Sequence, residues 1–133
     1  MARTLAEMVA AARSQARQVS PDEAAKALDG GAPGLIIDVR EAGEFQQRHL
    51  PGSTNIPRGM IELRADPASP VANAELVADT SARILVYCTK NPSARSLLAA
   101  QTLRSMGYDN VEVLDGGLVA WTEAGLPVES ATA

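Results

Sequence analysis

The chain has 133 residues, 21% charged and 46% hydrophobic, with a formal net charge of −4. That length suits one domain with a real core, and the composition is that of a globular protein. The acidic balance shows no basic stripe and argues against nucleic acid as a partner. No apolar run approaches the roughly 20 residues that span a bilayer, so no membrane contact is expected. The single cysteine, Cys88, excludes an internal disulfide and a Cys-based zinc site, and fits a reducing, cytoplasmic setting.

The first segment, "MARTLAEMVAAARSQARQVS", is rich in Arg and Ala and nearly free of acids. It has two readings. Leu5, Met8, Val9, Ala12 and Ala16 recur at helical spacing, which predicts an amphipathic helix over residues 1–18 that packs on the domain or on a partner. The same composition loosely matches an organelle transit peptide. "SPDEAAKALDGG" reads as a complete helix. Ser20 caps it, Pro21 is its first residue, Asp22 and Glu23 favour its positive end, and Gly30 or Gly31 stops it.

Residues 35–39, in "GLIIDV", form a short apolar run without alternation. That predicts a strand buried on both faces, as in a parallel sheet. A short helix is expected over residues 41–48, then a Pro51-Gly52 turn and a brief strand over residues 53–56. A further short helix falls within "RGMIELRADPASP", and Asn73 is placed to cap another that ends at Ala78. "RILVY", residues 83–87, is the second clear buried strand. A helix follows to about Met106, where Gly107 stops it. "VEVL", residues 111–114, is a third strand, and "GGLVAWTEAG" a last helix. Strands alternating with helices at this spacing predict an α/β domain with a mainly parallel sheet.

Cys88 sits at the carboxyl end of its strand, directly before a helix. In open α/β sheets ligands gather at such ends. The first amides of the helix lack intrahelical partners and the helix dipole is positive there, so both stabilise a thiolate or hold an anion. Lys90 and Arg95 add positive charge, and Thr89, Asn91 and Ser93 offer polar contacts. The bland alternative is a small buried residue, since cysteine is among the most often buried types.

The three strand-bearing segments also carry a family pattern. "LIIDVREAGEFQQRHLPGSTNIP", "ILVYC" with the Arg-Ser and Ala-rich helix after it, and "MGYDNVEVLDGGLVAWTEAGLPVE" resemble, in order and spacing, the signatures of a rhodanese-like domain. The likeness runs over residues 19–129 and leaves 130–133 as a disordered tail. It implies a three-layer sandwich with a central, mainly parallel sheet of about five strands. It also implies a sulfurtransferase. Cys88 would take sulfur from a small anionic donor such as thiosulfate, become a persulfide, and pass the sulfur to a thiol, to cyanide or to a protein acceptor. Amides from Thr89 to Ala94 would cradle the sulfur, and Arg95 would hold the loop or orient the donor. No metal and no organic cofactor is implied. The resemblance fits a monomer or a homodimer.

The loop departs from the family pattern. "TKNPSA", between Cys88 and Arg95, is longer than usual and has no glycine. In one layout the loop is enlarged for a bigger anion, as in Cys-dependent phosphatases or arsenate reductases. In the other, which local geometry favours, Asn91 caps the helix and Pro92 is its first residue. A non-catalytic binding or sulfur-relay module is the remaining alternative. Asp38 and Arg40 are expected to pair or tie loops rather than act on the donor. His49 is expected to belong to a structural turn, and Glu44 and Phe45 to the scaffold. Arg58 is expected at the pocket mouth. Arg48 stands where the family often has Gly.

Overall fold

A computed structural model describes residues 2–30 and 34–131. Helix α1 spans Leu5–Gln15, strand β1 Arg17–Val19, α2 Pro21–Asp29, β2 Gly34–Asp38, α3 Ala42–Gln47 and β3 Thr54–Asn55. After a 3-10 turn at Arg58–Met60 come α4 (Ile61–Ala65), α5 (Ala74–Ala78), β4 (Arg83–Tyr87), α6 (Ala94–Ser105), β5 (Val111–Leu114) and α7 (Gly117–Glu123). The strands form one 5-stranded sheet in the order β1-β5-β4-β2-β3, and every pairing is parallel. No helix among the described residues is long and apolar enough to cross a membrane.

The three central strands have no polar face because both faces are covered. Ile37, Ile84, Val86 and Val113 join Val9, Ile61, Leu97 and Leu103 in one core cluster. Ile36, Leu85, Tyr87 and Leu114 join Ala24, Leu118 and Trp121 in the other. Alternate residues of each strand thus feed opposite layers, with α1, α4 and α6 on one side and α2 and α7 on the other. This is the expected three-layer α/β sandwich.

Local signals placed several ends correctly. The Ser20 side chain accepts the Glu23 N–H, with Pro21 opening α2 and Gly30 at its carboxyl end. Gly31, the other predicted stop, lies outside the described residues. Asn73 Oδ1 accepts the Leu76 N–H at 3.0 Å.

The N-terminal segment differs from its expected form. Of the predicted apolar face, Val9 and Ala12 are buried, but Leu5 is 61% and Met8 41% exposed. The helix ends at Gln15, and the chain turns at once into β1, whose Arg17 and Val19 register with Glu112 and Leu114 of β5. Pairing and charge make this edge strand. Glu112 is buried, and it meets Arg17 Nε at 3.2 Å and the Arg83 guanidinium beside it. At the other end, Ala131 N–H donates to Gln46 O at 2.9 Å. The start of the expected disordered tail is therefore tied to α3. Residues 132 and 133 lie outside the described residues.

Candidate active site

Strand β4 lies between β5 and β2 and delivers Cys88 to the carboxyl edge of the sheet. The residue is 3% exposed and lines a surface pocket with Thr89, Lys90, Asn91, Pro92, Ala94 and Arg95. Its position is fixed from α7. Leu118 N–H donates to Cys88 O at 3.0 Å, and Val119 N–H donates to Thr89 O at 2.9 Å.

The loop takes neither of its cap residues from Asn91 and Pro92. The Asn91–Pro92 peptide is cis, and Ser93 has φ 62°. Ser93 N–H donates back to Lys90 O at 2.9 Å, closing a tight turn. Ser93, in the left-handed region, then becomes the residue before α6. The expected Asn91 cap fails because the turn precedes the helix. Asn91 Oδ1 faces the Ser93 hydroxyl at 3.4 Å instead of a helical amide. Ser93 itself is buried and shapes the loop, while its predicted neighbours line the pocket. From across the fold, Arg13 Nη2 donates to Pro92 O at 2.7 Å, so α1 also braces the turn.

The turn leaves donors open. Among the described residues, the N–H groups of Thr89, Lys90 and Asn91 take no backbone acceptor. Those of Ala94, Arg95 and Ser96 occupy the first turn of α6, where helix geometry supplies none. The Cys88 sulfur lies 3.3 Å from Ser96 Oγ, whose hydroxyl can donate to Ser93 O at 3.1 Å. One hydroxyl carries one proton. Given to Ser93, it leaves the oxygen to accept the thiol S–H. Turned to the sulfur, it serves a thiolate. Sequence reasoning missed Ser96, whose only signal was its place directly after Arg95.

Arg95 does not stand free over the sulfur. Its Nη1 donates to Glu44 Oε1 at 2.8 Å, and its Nη2 to Thr89 Oγ1 at 3.0 Å and Glu44 Oε2 at 3.3 Å. Glu44, expected in the scaffold, is the carboxylate partner of this pocket-lining arginine. The hydrogen bond from Arg95, against partial burial, holds its carboxyl at about 2. Lys90 is exposed and, among the described residues, has no carboxylate partner. It is the uncommitted cation of the pocket.

The Glu44 shift carries a pH signature. Its carboxyl falls from 4.5 to about 2 on folding, so its contribution is complete above about pH 4.5 and is lost as pH falls toward 2. Denaturation midpoints of the wild type and of Glu44→Gln should differ near neutrality and converge across that interval. A constant gap at all pH values would refute the pairing.

The other predicted residues do not line this pocket. Asp38 and Arg40 are 0% and 4% exposed. Arg40 Nε and Nη2 donate to both Asp38 oxygens, and Nη2 also to Arg48 O. Asn55 Nδ2 donates to the carbonyls of Asp38 and Arg40, so the pair joins the ends of β2 and α3 to β3. His49 stacks on Phe45 with ring centroids 3.9 Å apart, and its Nδ1 meets Phe45 O at 2.7 Å. Arg58 is not at the pocket mouth. It is drawn to Glu62 and to Thr102 Oγ1, each at 3.0 Å. No group of three or more His, Cys, Asp or Glu placed to hold a metal occurs among the described residues.

A central parallel sheet thus delivers the one cysteine to a pocket whose loop has N–H groups without backbone acceptors. The model of the Rhodanese-like domain matches residues 20–124, and the chain belongs to that family. It is 31% identical over 94 residues to a protein named sulfurtransferase from Allochromatium vinosum, covering 71% of this chain and 77% of that one. It is 35% identical over 108 residues to the maize adenylyltransferase and sulfurtransferase MOCS3-2, covering 80% of this chain but only 21% of that relative. A solved structure from Rhodopseudomonas palustris, of a protein of unknown function titled a possible tyrosine phosphatase, superposes with a TM-score of 0.87 at 33% identity, covering 97% and 96% of the two chains.

Proposed function

We propose that the protein is a sulfurtransferase that carries sulfane sulfur on Cys88. In the first half-reaction the Cys88 thiolate attacks the outer sulfur of thiosulfate or of a persulfide. A new S–S bond forms to Cys88, and the donor's S–S bond breaks with its electron pair on the leaving sulfite or thiolate. In the second, cyanide or a thiolate attacks that carried sulfur and the pair returns to Cys88 Sγ. The observation that supports this reading is that Cys88 lines a pocket together with a loop in which the N–H groups of Thr89 to Asn91 and of the first turn of α6 lack backbone partners. Such donors suit a terminal sulfur or an anionic donor. Lys90 supplies attraction for the donor's charged end, and Arg95 keeps the loop in shape through Thr89. The lone thiol fits a reducing, cytoplasmic compartment.

The relative titled a possible tyrosine phosphatase supports a second reading, in which the thiolate attacks phosphorus. That chemistry needs an acid for the leaving group. No Asp or Glu lines the pocket, and Glu44 beside it is held ionised by Arg95 at about 2. Sulfur transfer, whose leaving groups are already stable anions, is therefore the better fit.

Thiosulfate treatment followed by intact-mass measurement tests the proposal. Wild-type protein is expected to gain one sulfur atom, removable by cyanide, and Cys88→Ser to gain none. If wild type and variant stay equally unmodified, the carrier role is wrong. Cys88-dependent turnover of an aryl phosphate without sulfur loading would move the assignment to the second reading. Neither activity would leave a binding module.

A further inference from the structure

A second pocket abuts the first and is not used by the steps above. Arg40, Glu44, Gln47, Arg48 and Leu118 line it. Two of these residues contact residues that line the Cys88 pocket. Leu118 N–H donates to Cys88 O at 3.0 Å, and the Glu44 carboxylate meets Arg95 and Thr89.

The charges in this pocket do not cancel. The Arg40 side chain is only 5% exposed, and its Nε and Nη2 are spent on Asp38 and Arg48 O. Its Nη1 has no protein partner among the described residues. Asp38 balances the Arg40 charge and Arg95 balances Glu44. Arg48 is exposed, and its guanidinium has no carboxylate partner among the described residues. One cation is left over, next to a buried guanidinium with an open N–H donor and the Gln47 amide. That donor set recognises a carboxylate.

We propose that this pocket is an acceptor subsite, in which Arg48 and Arg40 Nη1 hold the carboxylate of a small thiol while its sulfur reaches the Cys88 persulfide. The inference rests on the sulfurtransferase reading. The donor does not fill this pocket. Thiosulfate carries its charged oxygens only two bonds from the transferred sulfur, so both fit within the Cys88 pocket. A neighbouring pocket serves a ligand whose charge lies several bonds from its reacting sulfur. The bound acceptor's thiolate attacks the outer sulfur of Cys88–S–SH. The new bond gives the acceptor persulfide R–S–SH, and the Sγ–S bond breaks with its pair on Cys88. Atoms and electrons balance, with no outside oxidant.

The test uses the sulfur-loaded protein and three probes: mercaptohexanoate, its neutral analogue mercaptohexanol, and thioglycolate, whose carboxylate is too near its sulfur to span both pockets. The ratio of kcat/KM for mercaptohexanoate over mercaptohexanol is expected to fall about tenfold in Arg48→Ala, as for a lost charge-assisted hydrogen bond. Arg48→Lys should recover most of it, and thioglycolate should respond much less to either change. An unchanged mercaptohexanoate ratio in Arg48→Ala overturns the subsite. If the wild type never loads sulfur, the sulfurtransferase reading falls instead. The subsite is then read by chemical-shift titration with methylthiohexanoate, which has no thiol. Equal binding by wild type and Arg48→Ala overturns it there too.

Discussion

Asp38→Ala is expected to cost about 3–5 kcal/mol, the usual penalty for removing one partner of a buried ion pair. Domains of this size hold only about 5–15 kcal/mol in total, so the variant should be largely unfolded or melt far below the wild type. Asp38 is fully buried and takes the Arg40 N–H on Oδ1 as well as the guanidinium. Its loss strands the Arg40 charge against Tyr87, whose ring centroid lies 5.9 Å from the guanidinium carbon. Two further comparisons separate charge from packing. Asp38→Asn keeps the shape and an acceptor, and should be the milder change. The double variant Asp38→Leu, Arg40→Met removes both charges, and should regain much of the loss. Chemical denaturation measures all three. A midpoint for Asp38→Ala within about 1 kcal/mol of the wild type would mean that the pair is no keystone.

The strands of the sheet centre were legible because burial on both faces leaves an uninterrupted apolar run, as in "RILVY". The helix starts at Ser20 and Asn73 were legible because caps are local chemistry. What failed was set by distant chain. Strand β1 is the segment "RQV", with no apolar run, and it is a strand because β5 lies beside it and Glu112 draws in Arg17. The Asn91-Pro92 pair looked like a helix start because such pairs usually are. Tertiary ties decided otherwise, among them the Arg13 bond to Pro92 O, 79 residues away. Glu44 was hidden for the same reason, since its partner Arg95 lies 51 residues on. Cys88 itself was legible by position, as the residue that leaves a central parallel strand.

Gly117→Ala is expected to injure the site more than the fold. Gly117 has φ +58°, and an added Cβ would lie 2.5 Å from Cys88 O, 2.8 Å from Thr89 C and 2.9 Å from Thr89 O. All three are backbone atoms, so no side chain can step aside. The left-handed conformation alone costs an alanine about 1–2 kcal/mol. The rest of the conflict must move the Cys88–Thr89 peptide, the segment that α7 otherwise pins through Leu118 and Val119. Gly116→Ala is the matched control. It shares a positive φ of +77°, but its Cβ would meet the Ala120 side chain at 2.5 Å and not the Cys88 peptide. Both variants should lose stability. Only Gly117→Ala should also load sulfur slowly while still folded, by about 100-fold if the sulfur shifts by an ångström. Intact-mass time courses with thiosulfate, run well below each variant's melting temperature, give the two rates. Equal loading by both variants would show that the glycine pair serves only the turn. Selective loss in Gly117→Ala would show that α7, which never touches the sulfur, sets where the sulfur sits.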